Sequence, residues 1–116
     1  MREYKKYGVW QDSIQLTSQI YELTRSFPDD EKFGLTNQIR RATISIASNI
    51  AEGASRSSTK DFSRFLEIAQ GSSFEVDTQL LIAKNLSLIT ESDFNTLSEK
   101  ISSIGKQISG LKRKLA

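Results

Sequence analysis

The side chains that most often carry out chemistry in proteins are missing from this sequence. Its 116 residues include no histidine and no cysteine. This excludes Ser-His-Asp triads, cysteine nucleophiles, disulfides, the usual zinc sites and the Glu-x-x-His pairs of di-iron bundles. Acid–base catalysis would have to use carboxylates, lysines or tyrosines, and no two of these are convincingly placed. The sequence therefore predicts a protein that is not an enzyme and has no metal, cofactor or small-molecule substrate.

Lysines and arginines form the most suggestive polar grouping. One group lies around the second predicted turn between helices, and the other is a run near the C-terminus. Together they are Arg40, Arg56, Lys60, Arg64, Lys112, Arg113 and Lys114. With Lys5 and Lys6 they could form a basic surface that contacts phosphates. The alternative is that each is an ordinary solvated side chain.

A second polar group borders the predicted core as a ridge along two helices. Its members are Gln38, Arg41, Asn49, Glu52, Glu75 and Gln79. Antiparallel pairing of the two helices predicts a partly buried ion pair between Arg41 and Glu75, with Arg40 more exposed than Arg41. The ridge is interpreted as a network that fixes helix register. The alternative is that it faces a ligand or a nucleic-acid groove.

Four segments with helical periodicity must position these residues. They run from about Gly8 to Ser26, Gly34 to Ala54, Thr59 to Leu86, and from the capping box at Thr90 onwards. Short connections favour antiparallel neighbours, so we predict an all-α, antiparallel up-down-up-down four-helix bundle that forms one domain over residues 1–116. The rival architecture is a long helical hairpin that completes its core only by assembling with copies of itself.

The third segment is apolar on more than one side. Phe74, Leu81 and Leu88 recur every seven residues on a flank away from its core stripe. A helix that is apolar nearly all round is normally buried on most sides, so this flank predicts a subunit interface in a homo-oligomer. Two features are also interpreted structurally: Gly53, near the end of the second helix, as a helix stop, and Gly71-Ser72-Ser73 as small residues that permit close helix packing.

Composition and charge are those of an ordinary globular domain. Sixteen lysines and arginines stand against fourteen acidic residues, a formal net charge of +2. Nucleic-acid binding would therefore depend on clustered charge, not on the total. No apolar run has the length of a secretory signal or a membrane span, which predicts a cytoplasmic protein without membrane association.

The order and spacing of several segments resemble one known family. They are Phe27-Pro28, Phe33-Gly34-Leu35, Gln38-Ile39-Arg40-Arg41, Ser45-Ile46, Asn49-Ile50-Ala51-Glu52-Gly53 and Ala69-Gln70-Gly71-Ser72. The chain resembles, from Trp10 to about Leu88, the four-helix bundle proteins encoded in intervening sequences of 23S ribosomal RNA genes. That resemblance implies an antiparallel bundle that assembles as a ring, typically a pentamer. The family is similar to the accessory protein of diversity-generating retroelements, which works with a reverse transcriptase and its template RNA.

Two functions follow as expectations. The first is a non-enzymatic, ring-forming protein that binds structured RNA or a nucleoprotein partner such as a reverse transcriptase. The second is an oligomeric scaffold for protein interactions with no nucleic-acid role. The basic residues favour the first, and the apolar flanks together with the modest net charge favour the second.

Overall fold

Four helices account for most of the chain in the structure, a computed structural model that describes residues 2–116. They are α1 (Gly8–Thr24), α2 (Leu35–Ala54), α3 (Thr59–Asn85) and α4 (Glu91–Leu115). Short 3-10 turns at Tyr4–Lys6 and Asp29–Glu31 precede α1 and α2. No strand occurs in the part of the chain that is described. The predicted all-α fold is confirmed, with helix boundaries within two residues of those expected.

The ends of the helices follow from local sequence. Ser58 and Thr90 cap α3 and α4, and their hydroxyls accept hydrogen bonds from the backbone N–H of Asp61 (3.1 Å) and Asp93 (3.0 Å). These are the capping boxes that the sequence predicts. Pro28 is extended (ψ 149°) and lies in the connection after α1, where the chain can no longer continue as a helix.

Each helix packs against its neighbours in sequence, and α1 also packs against α4. Pairs of cross-helix contacts show antiparallel register, because a later residue of one helix meets an earlier residue of the next. Gln70 with Ser109 and Asp77 with Ser98 join α3 and α4, and Gln15 with Lys100 and Asp12 with Gln107 join α1 and α4. Ser45 with Ser72, and Gly53 against Phe65, show the same for α2 and α3. The molecule is therefore the predicted up-down-up-down bundle, 43 × 24 × 20 Å. All four helices contribute to one apolar core.

Alternating helix direction gives the bundle two different ends. The start of α1, the α2–α3 turn and the end of α4 share one end, which we call the terminal end. The α1–α2 and α3–α4 connections share the other, which we call the loop end. This division decides which charged residues are neighbours.

Candidate nucleic-acid interface

Charge is separated along the long axis of the bundle. The cross-helix hydrogen bonds place the midplane near residues 15, 45, 72 and 104. The terminal half (2–15, 46–72 and 104–116) carries ten lysines and arginines and five acidic residues, a net charge of +5. The loop half (16–45 and 73–103) carries six and nine, a net charge of −3. A small total charge thus hides a basic half, which is an electrostatic feature suited to polyanions.

Two of the predicted phosphate contacts, Arg56 and Arg64, flank one aromatic ring at the terminal end. Their guanidinium carbons lie 4.7 and 4.5 Å from the centroid of the Phe65 ring. Arg56 also pairs with Glu52 (3.2 Å), and Arg64 lies 3.8 Å from Asp61. Cation–π contact and ion pairing hold both guanidinium groups in place at the surface. The two side chains stay 41% and 57% exposed and so remain open to a phosphate, although the Arg56 Nε is buried without a hydrogen-bond partner within residues 2–116.

The remaining cations of the terminal end are less constrained. Lys112 of α4 reaches Glu67 of α3 at 3.2 Å. Within residues 2–116, Lys60, Arg113 and Lys114 form no ion pair or side-chain hydrogen bond, and all three are exposed. These three are the cations most available to an incoming phosphate.

Arg2 belongs to this end and was missed by sequence reasoning. Its guanidinium donates to the backbone carbonyls of Ala54 and Arg56, and lies 4.9 Å from the centroid of the Phe62 ring. It therefore satisfies carbonyls left free at the end of α2 and neutralises part of that helix dipole. No local pattern could have revealed a partner more than fifty residues away in sequence.

Arg40 lies elsewhere, so its placement in the basic cluster was wrong. Arg56 follows the end of α2, and the 14 residues from Arg40 to Ala54 alone span about 21 Å along the helix axis. The Arg40 Nε donates to the Thr24 hydroxyl (2.8 Å), and its guanidinium carbon lies 4.4 Å from the centroid of the Tyr21 ring. The expectation that Arg40 is more exposed than Arg41 was also wrong, because α1 covers Arg40 and leaves Arg41 in solvent.

The predicted polar ridge does not form one network. Arg41 and Glu75 are both exposed and make no ion pair among residues 2–116. Glu75 instead accepts a long hydrogen bond from Gln79 (3.4 Å), and Glu52 pairs with Arg56. Gln38 is exposed and has no side-chain hydrogen bond in the same residues.

Serines make the contact that the ridge was expected to make. Ser45 and Ser72 share a hydrogen bond of 2.8 Å, and the Asn49 amide donates to the Ser45 hydroxyl (2.9 Å) and carbonyl (2.8 Å). The short side chains meet where α2 and α3 approach closely. Long side chains such as Arg41 and Glu75 extend past this line into water, where an ion pair contributes little.

An open groove of about 500 Å³ lies between α3 and α4 and crosses the midplane, from Asp77 and Ser98 in the loop half to Arg113 in the terminal half. Small residues of α4, including Ser102 and Gly105, line it on the side opposite α3. Phe74 of α3 stands at its edge with 66% of its surface exposed. Lys106 and Arg113 of α4 line the same groove.

The predicted oligomer interface is only partly reproduced as a surface. Phe74 and Leu81 are exposed, but Leu88 packs against the core and its inclusion was wrong. The reason is that α3 ends at Asn85, and Ser87 turns the chain with φ 61°. The seven-residue spacing therefore stops being helical before it reaches Leu88.

Two further features, a metal site and a membrane-spanning helix, are not found among the described residues. Within residues 2–116 no three His, Cys, Asp or Glu side chains come together as a metal site would require. In the same range, none of the helices combines the length and the apolar character that crossing a bilayer demands.

Comparison with known proteins gives the fold a close relative. A crystal structure at 1.70 Å of a protein of unknown function from the S23 ribosomal protein family of Bacteroides thetaiotaomicron superimposes with a TM-score of 0.83. The two chains are 25% identical, and the alignment covers 90% of this chain and 97% of that one. None of the curated proteins is similar enough to count as a match. The model of one protein family matches residues 5–110, and the chain therefore belongs to that family, the 23S rRNA-intervening sequence proteins.

Proposed function

We propose that this protein is a non-enzymatic, ring-forming helical protein whose terminal end binds structured RNA, alone or in a nucleoprotein such as a reverse transcriptase complex. The observation that carries the proposal is the charge separation along the bundle, with +5 in the terminal half against −3 in the loop half. A ring would repeat this basic end around its axis. Several weak phosphate contacts would then act together.

The cations at this end suit a phosphate backbone better than a single small anion. Lys60, Arg113 and Lys114 extend from two different helices and are not held by carboxylates. Arg56 and Arg64 are fixed against Phe65 and offer planar guanidinium groups, which bind phosphate oxygens in pairs. Within residues 2–116 Lys60 and Lys114 have no carboxylate partner and share the terminal end with arginines held against Phe65, so together they form a broad contact surface and no enclosed site.

Ring assembly is supported by two exposed apolar strips. One lies where α1 meets α2, and the other lies on the flank of α3 next to α2. The first, the α1–α2 strip, contains Ile14 and Ile44, each 42% exposed. Ile44 is one turn from Arg40, which contacts Tyr21 of α1, and Ile14 is two turns from Tyr21. Both isoleucines therefore lie on the side where α1 and α2 meet.

The second strip, the α3 strip, contains Ile68, Ile82 and Leu86, exposed by 43%, 44% and 55%. Its spacing places it beside Ser72, on the flank of α3 next to α2. A contact between two different strips is heterologous, and heterologous contacts close into rings when the rotation permits. The interface that the sequence predicts at Phe74 and Leu81, on the other flank of α3, is the alternative to this contact.

The experiment compares two triple variants that change the net charge equally. One replaces Lys60, Arg113 and Lys114 with alanine at the terminal end. The other replaces Arg25, Lys32 and Lys84 with alanine at the loop end. Binding of a fluorescein-labelled RNA hairpin is measured by anisotropy at salt concentrations from 50 to 300 mM.

The wild-type protein is expected to bind with a log–log salt slope of several units. The terminal-end variant should bind more weakly, with a slope reduced by about two to three units, because each lost phosphate contact removes about one released counterion. The loop-end variant should behave like the wild type. Equal losses in both variants would mean that only total charge matters, and would contradict a binding surface at the terminal end.

A second candidate function, an oligomeric scaffold without a nucleic-acid role, is favoured by the exposed apolar side chains. Among residues 2–116, eight large apolar residues are at least 42% exposed, and Phe33 reaches 87%. The same titration separates the two proposals. A wild-type protein that is oligomeric but does not bind the hairpin even at 50 mM salt would favour the scaffold.

A further inference from the structure

We infer that the groove between α3 and α4 binds a single-stranded segment of RNA, with one base stacked on Phe74 and the flanking phosphates on Lys106 and Arg113. This inference rests on the proposed nucleic-acid function and assigns an adjoining site for unpaired nucleotides, which shares Arg113 with the terminal end. It differs from the basic surface of the terminal end because it uses the face of an aromatic side chain as well as charge.

Phe74 is placed as a stacking platform. Its side chain is 66% exposed, although apolar rings are normally among the more buried side chains. Gly71 precedes it by three residues on the same face of α3, and a Cβ added there would meet nothing within 4 Å. A Cβ at Gly105, on the opposite wall, would also enter open space. The ring therefore borders a space that a planar base could enter.

Positive and negative side chains lie at different ends of the groove. Lys106 and Arg113 are seven residues apart, which places them on one face of α4 about 10 Å apart along its axis. Neither makes an ion pair or a side-chain hydrogen bond within residues 2–116. The acidic residue of the groove, Asp77, lies towards the loop end and accepts a hydrogen bond from Ser98 at 2.7 Å. A strand would therefore place its phosphates at the Lys106–Arg113 side, which continues into the basic terminal end.

The lining favours nucleic acid over a protein helix as the occupant. Its lining contains four serines, Ser73, Ser98, Ser102 and Ser109, together with the charged side chains of Asp77, Lys106 and Arg113. Serine, lysine and aspartate are depleted from the cores of protein interfaces, where apolar residues surround the aromatic ones. An isolated ring among hydroxyl groups and cations is instead the combination found where single strands bind.

The test uses a fluorescein-labelled ten-nucleotide oligoadenylate, which lacks a folded structure and provides bases that stack well. Anisotropy is measured for the wild type, Phe74→Leu, Phe74→Trp and the control Phe33→Leu. Leucine keeps an apolar side chain of similar reach but removes the aromatic face. Phe33 is also an exposed phenylalanine, but it lies in the α1–α2 connection and does not line the groove.

Phe74→Leu should weaken oligoadenylate binding by about 5- to 150-fold, the range expected for losing one stacked base. Phe74→Trp should retain binding, and its fluorescence should be quenched by the oligonucleotide. Phe33→Leu should bind like the wild type. Sedimentation velocity without RNA should give the same mass for all four proteins.

Two outcomes would overturn the inference. Equal binding by the wild type and Phe74→Leu would show that no base stacks on Phe74. A change of mass in Phe74→Leu would show that Phe74 is a subunit contact. Its failure is distinguishable from failure of the proposed function. Wild-type protein that binds the hairpin but not oligoadenylate would leave the proposed function standing, whereas binding to neither would remove both.

Discussion

Ser87 is the only non-glycine residue with a positive φ among the described residues. It ends α3: its N–H donates to the Lys84 carbonyl (3.0 Å), and the N–H of Leu88 donates to the Ala83 carbonyl (2.9 Å). This is the Schellman arrangement, in which glycine usually occupies the left-handed position. A serine there carries the strain of a Cβ in left-handed geometry.

Replacing Ser87 with glycine should therefore stabilise the protein, by roughly 0.5 to 1 kcal/mol. Relief of the left-handed strain exceeds the added flexibility that glycine brings to the unfolded chain. Urea unfolding followed by circular dichroism measures the change. Ser87→Ala, which keeps the Cβ, serves as the control and should gain nothing. A glycine variant no more stable than the alanine variant would show that the turn is unstrained.

Gly53 and Gly71 should respond in opposite directions to alanine. A Cβ at Gly53 would lie 2.7 Å from the Phe65 Cβ and 2.9 Å from the Phe62 Cδ1, whereas Gly71 has open space. We expect Gly53→Ala to lower the free energy of unfolding by about 1 to 3 kcal/mol through overpacking. Gly71→Ala should raise it by up to about 1 kcal/mol through helix propensity. Thermal and urea unfolding of both variants check this, and a stabilised Gly53→Ala would contradict the close approach of α2 and α3.

The two glycines also show what a sequence leaves open at the residue scale. Gly53 was interpreted as a helix stop, and α2 does end one residue after it, at Ala54. The run Gly71-Ser72-Ser73 was interpreted as small residues for close packing, which holds for the buried Ser72 and Ser73 and is wrong for Gly71. Gly53 also lies against two phenylalanines, whereas Gly71 faces solvent. The reason a position lacks a side chain depends on which atoms of another helix stand opposite, and sequence spacing does not report this.

At the level of elements, the α2–α3 contact should depend on Ser45 and Ser72 and not on Arg41 and Glu75. A double-mutant cycle with Ser45→Ala and Ser72→Ala should show a coupling of about 0.5 to 1.5 kcal/mol, the net value of a hydrogen bond removed from both sides. The cycle with Arg41→Ala and Glu75→Ala should show a coupling of less than about 0.3 kcal/mol, because both side chains are exposed. Denaturant unfolding of the six variants and the wild type provides both numbers. Strong coupling of the charged pair would restore the predicted ion pair.

Periodicity predicted the helices well because burial follows the 3.6-residue repeat along each one. Capping signals and Pro28 predicted the ends of helices for the same local reason. Arg40 shows the limit of prediction from such local patterns. A helical repeat places Arg40 about 100° from Arg41, but Tyr21 and Thr24 of α1 decide that Arg40 is the one that is covered. The partners of side chains across helices, including the contact of Arg2 with α2, depend on tertiary packing.

At the scale of the whole molecule, the total net charge of the sequence could not reveal how charge is separated between the two ends. The net charge of +2 becomes +5 and −3 only after the topology assigns each residue to an end. Alternating helix direction brings the start of the chain, the α2–α3 turn and the last turn of α4 together. Three moderate clusters of cations thereby become one basic surface.

The two apolar strips predict how copies of the molecule should associate. If the α1–α2 strip of one subunit contacts the α3 strip of the next, Ile44→Asp destroys one side of the contact and Ile82→Asp destroys the other. Each variant alone should be a monomer of 13.1 kDa, because a buried, unpaired carboxylate opposes association. The wild type should be a larger closed oligomer.

Mixing the two variants should restore exactly one interface per pair of chains. The intact α3 strip of Ile44→Asp can bind the intact α1–α2 strip of Ile82→Asp, but the damaged strips cannot extend or close the assembly. Sedimentation velocity of an equimolar mixture should therefore show a dimer, at twice the mass of one chain. A self-complementary contact between identical strips would give a different result: one variant would stay oligomeric alone, and mixing would create no new species. A monomeric wild type would contradict ring assembly altogether.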